Sequence, residues 1–222
     1  SQAIYNAYKN NPQKFTDKLY SMRVNKTVGL DIEGEQEPVV KNPKMKSWSK
    51  VTLPWMSIGY EVALTPIQIL TFYNAIANNG KMMKPQFVKE VKRLGKTENV
   101  FQPSVLQDSI CSLSTAKQAR SLLEGVIESG TGKSLKNSIY KIAGKTGTAQ
   151  VAKNSKGYTN GGEVNYKASF VGYFPADNPK YSCIVVVNNP SKGAYYGGAV
   201  AAPVFKDIAD KIYSTHIDIV QQ

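Results

Sequence analysis

In four segments of the first 130 positions, apolar residues recur at spacings of three and four, which predicts helices. Those helices are predicted at residues 3–9, 12–22, 66–77 and about 114–129. Thr65 is a suitable N-cap for the third helix, and Asn78-Asn79-Gly80 is a suitable end. Residues 23–65 show no periodicity and are interrupted by Gly and Pro, so we predict an irregular segment, of a length that is often functional. Residues 87–94 fit a strand only weakly.

The last third of the chain has a different pattern. Its apolar runs are short and favour strands, followed by one segment of helical spacing. Strands are predicted at 140–151, 167–174 and 181–188, and a closing helix at 197–213. The chain therefore divides into a helical and irregular part, residues 1–139, and a strand–strand–strand–helix part, residues 140–215. This order predicts the α+β class, with an antiparallel sheet flanked by helices.

Composition narrows the function classes. The 222 residues include 28 Lys+Arg and 16 Asp+Glu, a formal charge of +12. The lysines are scattered and only Arg23, Arg93 and Arg120 could read phosphate bidentately, so we predict a solvated basic surface and no nucleic-acid partner. Two Cys and one His are too few for a typical zinc site, so no metal or other cofactor is predicted. Cys111 and Cys183 could pair, but Cys183 lies in a predicted apolar strand, so a small buried thiol is expected instead.

Membrane segments are not expected within the chain. It contains no run of about 18 apolar residues, the length that a spanning helix needs. It also lacks a basic-then-apolar leader at its first residues.

Four residues in the first predicted strand carry candidate chemistry: Lys145, Thr146, Gly147 and Thr148. A Gly inside a strand has no side chain to pack and commonly permits close approach of a ligand or backbone. Thr146 and Thr148 lie on one face of the strand, because side chains alternate. A cation beside hydroxyl donors favours carboxylate binding. On four residues alone, an ordinary surface strand with an incidental Gly remains an equal alternative.

Longer segments favour the carboxylate-binding interpretation over an ordinary surface strand, because they resemble a known protein family. Lys-Thr-Gly is the third motif of the penicillin-recognising serine acyltransferases. The flanking sequence resembles class B penicillin-binding proteins in order, from residue 1 to about 215. The similar segments are residues 53–68, 73–85, 142–150, 168–175 and 195–205. The Tyr-Tyr-Gly-Gly stretch at 195–198 resembles the division-type enzymes more than the elongation type.

The resemblance implies a peptidoglycan D,D-transpeptidase fold and activity. A serine would attack the penultimate D-Ala of a stem peptide, and penicillins would imitate that substrate. Lys145, Thr146, Gly147 and Thr148 would bind the terminal carboxylate, and the Thr148 backbone N–H would be an oxyanion donor. Expected partners are stem peptides, β-lactams and, for the parent protein, divisome or other cell-wall synthesis proteins. The parent would be anchored in the cytoplasmic membrane, with this part on the extracytoplasmic side.

The chain departs from the family pattern in its other motifs. It contains no Ser-x-Asn, and its two Ser-x-x-Lys matches, at 47–50 and 114–117, lie where the family has no nucleophile. Ser114 is better explained as a helix cap. We therefore expect the C-terminal portion of a transpeptidase domain, with the nucleophile outside this chain and no acyl-enzyme formed by the chain alone. A β-lactamase or carboxypeptidase-type hydrolase and a non-catalytic domain of the same fold are the alternatives.

Two further features have competing explanations. Residues 130–134, Gly-Thr-Gly-Lys-Ser, resemble part of a phosphate loop, but position 127 is Ile and a helix precedes the segment. We therefore predict a helix C-cap turn at Gly130. Five tyrosines flank the motif strand and could either line a peptide cleft or pack on the sheet. They are Tyr158, Tyr166, Tyr173, Tyr195 and Tyr196.

Overall fold

The computed structural model describes residues 1–136, 139–151, 164–191 and 193–220, with side chains as far as residue 215. The chain forms two compact units. The first contains residues 1–75 and 79–113, and the second contains residues 76–78 and 114–222.

The first unit holds four helices and six short strands, counted within the described residues. The helices are α1 (Gln2–Tyr8), α2 (Pro12–Ser21), α3 (Thr52–Met56) and α4 (Pro66–Ala77), the last of which ends in the second unit. The strands are β1 (Val39–Val40), β2 (Val62–Ala63), β3 (Met82–Met83), β4 (Glu90–Arg93), β5 (Lys96–Val100) and β6 (Val105–Gln107). They pair antiparallel as β1–β2, β3–β6 and β4–β5.

The segment predicted to be irregular, residues 23–65, is more ordered than expected. It contains α3, β1 and β2. The carboxylate of Glu35 holds its first part, because it accepts the backbone N–H groups of Val28 (2.7 Å), Gly29 (2.9 Å) and Leu30 (3.1 Å). Gln68, on α4, donates to the same carboxylate at 3.0 Å. These side-chain contacts have no periodic signature in the sequence, so the hydrophobic pattern does not predict them.

The weak strand at residues 87–94 is half of a hairpin. β4 pairs with β5 across Leu94 and Gly95, whose φ angles are 49° and 79°. Two consecutive positive φ angles are typical of a type I′ hairpin turn, which usually carries Asn-Gly. Leu94 is an unusual residue for such a turn and is 97% exposed. The absence of Asn at the first position of the turn explains why the hairpin was not predicted.

The second unit confirms the predicted α+β class. It contains α5 (Leu113–Glu128), a 3₁₀ turn (Lys133–Leu135), β7 (Ala143–Val151), β8 (Asn165–Phe174), β9 (Tyr181–Asn188), α6 (Gly197–Val200) and α7 (Ala202–Val220). The three strands form one antiparallel sheet in the order β7–β8–β9. Among the described residues, no helix is long and apolar enough to cross a bilayer.

Several predicted bounds differ from the structure. The first strand begins at Ala143 rather than at residue 140, and Tyr140 and Ile142, which precede it, are buried in the core. The closing helix is two helices, since Pro203 has no N–H for a bond to the preceding turn and is tolerated only in the first turn of α7. Ser114 is the second residue of α5, so Ser112, not Ser114, precedes the first helical residue.

The core of the second unit lies between one face of the sheet and α7. Phe170 and Phe174 of β8 pack edge-on against Phe205 of α7, with ring centroids 4.7 and 5.8 Å apart. Ile127 of α5 and Leu135 of the 3₁₀ turn complete the buried cluster. Alternate side chains of β9, such as Val185, lie on the same face of the sheet and pack against this cluster. This packing fixes the sheet on which the candidate site is built.

Candidate active site at the edge of strand β7

The Lys-Thr-Gly-Thr motif lies in a strand, as predicted. Lys145 to Thr148 stand opposite Val171 to Ala168 of β8. Within the described part of the chain, β7 pairs only with β8, so it is an outer strand of the three-stranded sheet. One side of the motif strand is therefore a sheet edge.

Backbone direction at that edge follows from the ladder. The Asn189 N–H donates to the Tyr166 carbonyl at 2.9 Å, so even-numbered residues of β8 direct their backbone N–H and C=O groups toward β9. Because the direction alternates along an antiparallel strand, odd-numbered residues of β8 bond toward β7. Their partners in the register are Lys145 and Gly147. Thr146 and Thr148 therefore direct their backbone N–H and C=O groups away from β8, toward the sheet edge.

The Lys145 side chain brings a cation to this edge. Its ammonium donates to the Thr146 carbonyl at 2.8 Å and lies 3.5 Å from the Thr146 hydroxyl oxygen. Lys145 is exposed and Thr146 is half-buried. An exposed ammonium held beside outward-facing backbone N–H groups gives this edge positive polarity.

The Thr146 hydroxyl is held by a residue that sequence analysis did not single out. Its Oγ1 lies 2.7 Å from Oγ1 of Thr131. Thr131 belongs to the turn after α5, where the N–H groups of Gly130 and Gly132 both donate to the Val126 carbonyl, at 3.1 and 3.0 Å. The predicted helix-terminating turn at residue 130 is thus confirmed. The sequence feature that could have pointed to Thr131 is the Gly-Thr-Gly pattern at residues 130–132.

The Thr148 hydroxyl is held by the start of α6. Its Oγ1 accepts the Gly197 backbone N–H at 3.1 Å. A Cβ at Gly197 would lie 2.3 Å from the Ser169 carbonyl oxygen and 2.5 Å from the Gly147 carbonyl oxygen. Only Gly lets the helix approach the strands this closely. The Tyr-Tyr-Gly-Gly segment therefore has a packing role beside the motif strand.

Gly147 faces a neighbour across the sheet. A Cβ at this position would lie 2.4 Å from the Ser169 hydroxyl oxygen. The absent side chain accommodates Ser169 on that face, a constraint that the sequence of β7 alone could not indicate.

Comparison with known proteins decides the family. A family model described as the penicillin binding protein transpeptidase domain matches residues 3–210. The chain belongs to this transpeptidase family.

Individual relatives in this family are similar over most of the chain. Stage V sporulation protein D of Bacillus subtilis is 33% identical over 181 residues, which cover 81% of this chain and 27% of that protein. The peptidoglycan D,D-transpeptidase FtsI of Escherichia coli K12 is 32% identical over 192 residues, covering 86% and 30%. Penicillin-binding protein 3 from Mycobacterium tuberculosis has a similar fold, with a TM-score of 0.78, 29% identity and coverage of 93% of this chain and 47% of that one. The chain spans less than a third of these two curated relatives.

Three tyrosines of this transpeptidase chain stack beside the motif strand. The rings of Tyr166 and Tyr195 are 4.1 Å apart at 17°, and those of Tyr195 and Tyr196 are 4.4 Å apart. The Tyr195 hydroxyl donates to that of Tyr196 at 3.1 Å, an interaction that raises the pKa of Tyr195. Tyr196 is 60% exposed, whereas Tyr173 is fully buried. Tyr158 lies outside the described residues.

The remaining sequence candidates lie elsewhere. Ser47 lies in an exposed turn of the first unit, and Ser114 in α5. Cys111 and Cys183 are unpaired and half-buried rather than fully buried, and burial raises the pKa of the Cys183 thiol. Among the residues with described side chains, no cluster of three or more metal-binding groups occurs.

Proposed function

We propose that this chain is the carboxylate- and oxyanion-binding portion of a peptidoglycan D,D-transpeptidase whose nucleophile lies outside these 222 residues. Lys145 and the hydroxyls of Thr146 and Thr148 would bind the terminal carboxylate of a stem peptide. The Thr148 backbone N–H would donate to the oxyanion that forms on the attacked carbonyl.

The outward direction of the Thr148 N–H is the observation that carries this proposal. An oxyanion donor must not already be hydrogen-bonded to a neighbouring strand. Because backbone groups alternate in direction along an antiparallel strand, this N–H lies on the side away from β8. The ammonium of Lys145 lies at the same edge, against the Thr146 carbonyl. The Thr148 hydroxyl accepts from Gly197 and so keeps its own proton for a ligand.

The reaction divides into two acyl transfers. The serine oxygen bonds to the penultimate D-Ala carbonyl, the peptide bond to the terminal D-Ala breaks, and that D-Ala leaves as a free amino acid after its nitrogen gains a proton. The amine of a second stem peptide then attacks the ester, loses a proton and releases the serine. In the first step Lys145 and the two threonine hydroxyls hold the terminal carboxylate, and in both steps the Thr148 N–H stabilises the negative charge on the carbonyl oxygen.

The relatives support this assignment. FtsI of E. coli is named a peptidoglycan D,D-transpeptidase, and M. tuberculosis penicillin-binding protein 3 has been solved in complex with ampicillin. We further propose that the parent is a division-type enzyme, anchored in the cytoplasmic membrane with this part on the extracytoplasmic side. Divisome or other cell-wall synthesis proteins would then be its partners.

Intact-mass spectrometry after incubation with benzylpenicillin tests the proposal. We expect the complete gene product to gain one penicilloyl adduct on a serine outside this chain, and the 222-residue chain alone to gain none. Lys145→Gln should slow acylation of the complete product at least tenfold, because a hydrogen bond between charged groups contributes roughly 1.5–3 kcal/mol.

The Ser-x-x-Lys matches within the chain provide the controls. Ser47→Ala, Ser114→Ala and Lys117→Gln should leave acylation unchanged. An adduct on Ser47 or Ser114 would contradict the proposal. A folded product that hydrolyses the drug rapidly would instead be a β-lactamase, and one that neither binds nor hydrolyses it would be a non-catalytic domain.

A further inference from the structure

We propose that Thr131 is a positioning residue that orients the Thr146 hydroxyl toward the substrate carboxylate. The inference deepens the proposed function and rests on it. Thr131 lies in the turn after α5, outside the Lys-Thr-Gly strand, and meets it through the 2.7 Å contact between the two hydroxyl oxygens.

The role of this contact follows from the number of hydrogen bonds that each hydroxyl can donate and accept. Each threonine hydroxyl can donate one proton and accept two hydrogen bonds. The Lys145 ammonium, which can only donate, lies 2.8 Å from the Thr146 carbonyl and 3.5 Å from the Thr146 hydroxyl. When Thr131 donates to Thr146, the Thr146 proton remains available to a carboxylate oxygen. The contact then limits rotation of the Thr146 hydroxyl, so less freedom is lost when the ligand binds.

The turn that carries Thr131 is itself fixed. Gly130 and Gly132 both donate to the Val126 carbonyl, which ties the turn to the end of α5. On its other side, a Cβ at Gly198 would lie 2.5 Å from the Thr131 carbonyl oxygen. Thr131 is exposed, as is Lys145 of the motif strand. A fixed backbone whose hydroxyl contacts Thr146 suits a positioning role.

The test compares two ligands on the complete gene product. Acylation rates are measured with benzylpenicillin and with its methyl ester, which lacks the carboxylate charge. Thr131→Val, which removes only the hydroxyl, should slow acylation by the free acid about tenfold and by the ester less than about twofold. Thr131→Ser keeps a hydroxyl and should restore most of the rate. Thr97→Val, on the exposed hairpin, is the matched control and should act like the unaltered protein.

Each other outcome overturns the inference in a distinguishable way. Equal slowing with both ligands would show that Thr131 only supports the fold. Normal acylation rates for Thr131→Val with both ligands would show that Thr131 has no positioning role, and would not contradict the proposed function. If benzylpenicillin does not acylate the unaltered gene product, the proposed function and this inference fail together.

Discussion

Gly197 offers a sharp test of how the site is packed. It begins α6 and lies directly against the motif strand. A Cβ added here would meet the Ser169 oxygen at 2.3 Å, the Gly147 oxygen at 2.5 Å and the Gly147 nitrogen at 3.1 Å. All three are backbone atoms of paired strands, so no side chain can rotate away. Gly197→Ala must therefore push α6 off the sheet or distort the pairing of β7 with β8.

The expected destabilisation follows from two opposing contributions. Overpacking in a rigid site costs about 1–3 kcal/mol, and the backbone contacts place this case at the upper end. Replacing Gly by Ala in a helix returns roughly 0.5–1 kcal/mol. The net loss is about 2 kcal/mol, which lowers Tm by roughly 4–8 °C for a chain of this size.

Gly125→Ala is the matched control for Gly197→Ala. Gly125 lies inside α5, and a Cβ there would have nothing within 4 Å. The same chemical change should therefore raise Tm by about 1–4 °C through helix propensity alone. Both positions belong to the second unit, so one thermal transition, followed by circular dichroism, reports on both. A Gly197→Ala protein as stable as the unaltered chain would refute the packing argument.

Two further substitutions test the polar side chains of Glu35 and Tyr173, each by denaturant unfolding. Burial tends to raise the pKa of Glu35, but hydrogen bonds from Val28, Gln68, Leu30 and Gly29 outweigh it and hold the pKa below its usual value of 4.5. That stability is present above the unfolded-state pKa and is lost as pH falls through the folded-state pKa. Glu35→Gln should therefore lower the free energy of unfolding by about 1 kcal/mol at pH 7, with a difference that shrinks below about pH 4, whereas the exposed control Glu33→Gln should change it little. A pH-independent loss would contradict the carboxylate's role. Burial, and then Glu124, raise the pKa of Tyr173, with Arg120 opposing, and its hydroxyl has no hydrogen-bond partner within the described residues. Tyr173→Phe should thus leave the stability unchanged or increase it by up to about 1 kcal/mol, and a clear loss would reveal a partner for the hydroxyl.

Local sequence patterns correctly predicted the elements that are marked by their own residues, such as a helix cap or an apolar run. The N-terminal helix predictions agree with α1 and α2 to within one residue at each end, because Asn11 caps α2 and Pro12 occupies its first position. The short apolar runs of β8 and β9 predicted two strands, and both lie in the antiparallel sheet. Structure without a local signal escaped prediction: side-chain hydrogen bonds hold the Glu35 loop, and the Leu94-Gly95 hairpin has Leu where its turn type usually has Asn.

The sequence by itself determined the fold class and the residues of the motif strand. Lys145 and the two threonines can be read directly, since a strand places alternate side chains on one face. It also carried the family resemblance, which the match over residues 3–210 confirms. These features depend on residue identity and on spacing along one segment.

Only the tertiary structure decided which other elements meet that strand. Thr131 reaches Thr146 from a turn 15 residues earlier, and Gly197 reaches Thr148 from a helix 49 residues later. Ser169 fills the space beside Gly147 from the neighbouring strand. The direction of the Thr148 N–H also required the register of β7, β8 and β9, because a one-residue slip would reverse it. Contacts between distant segments depend on how the elements pack, and local sequence patterns do not encode that packing.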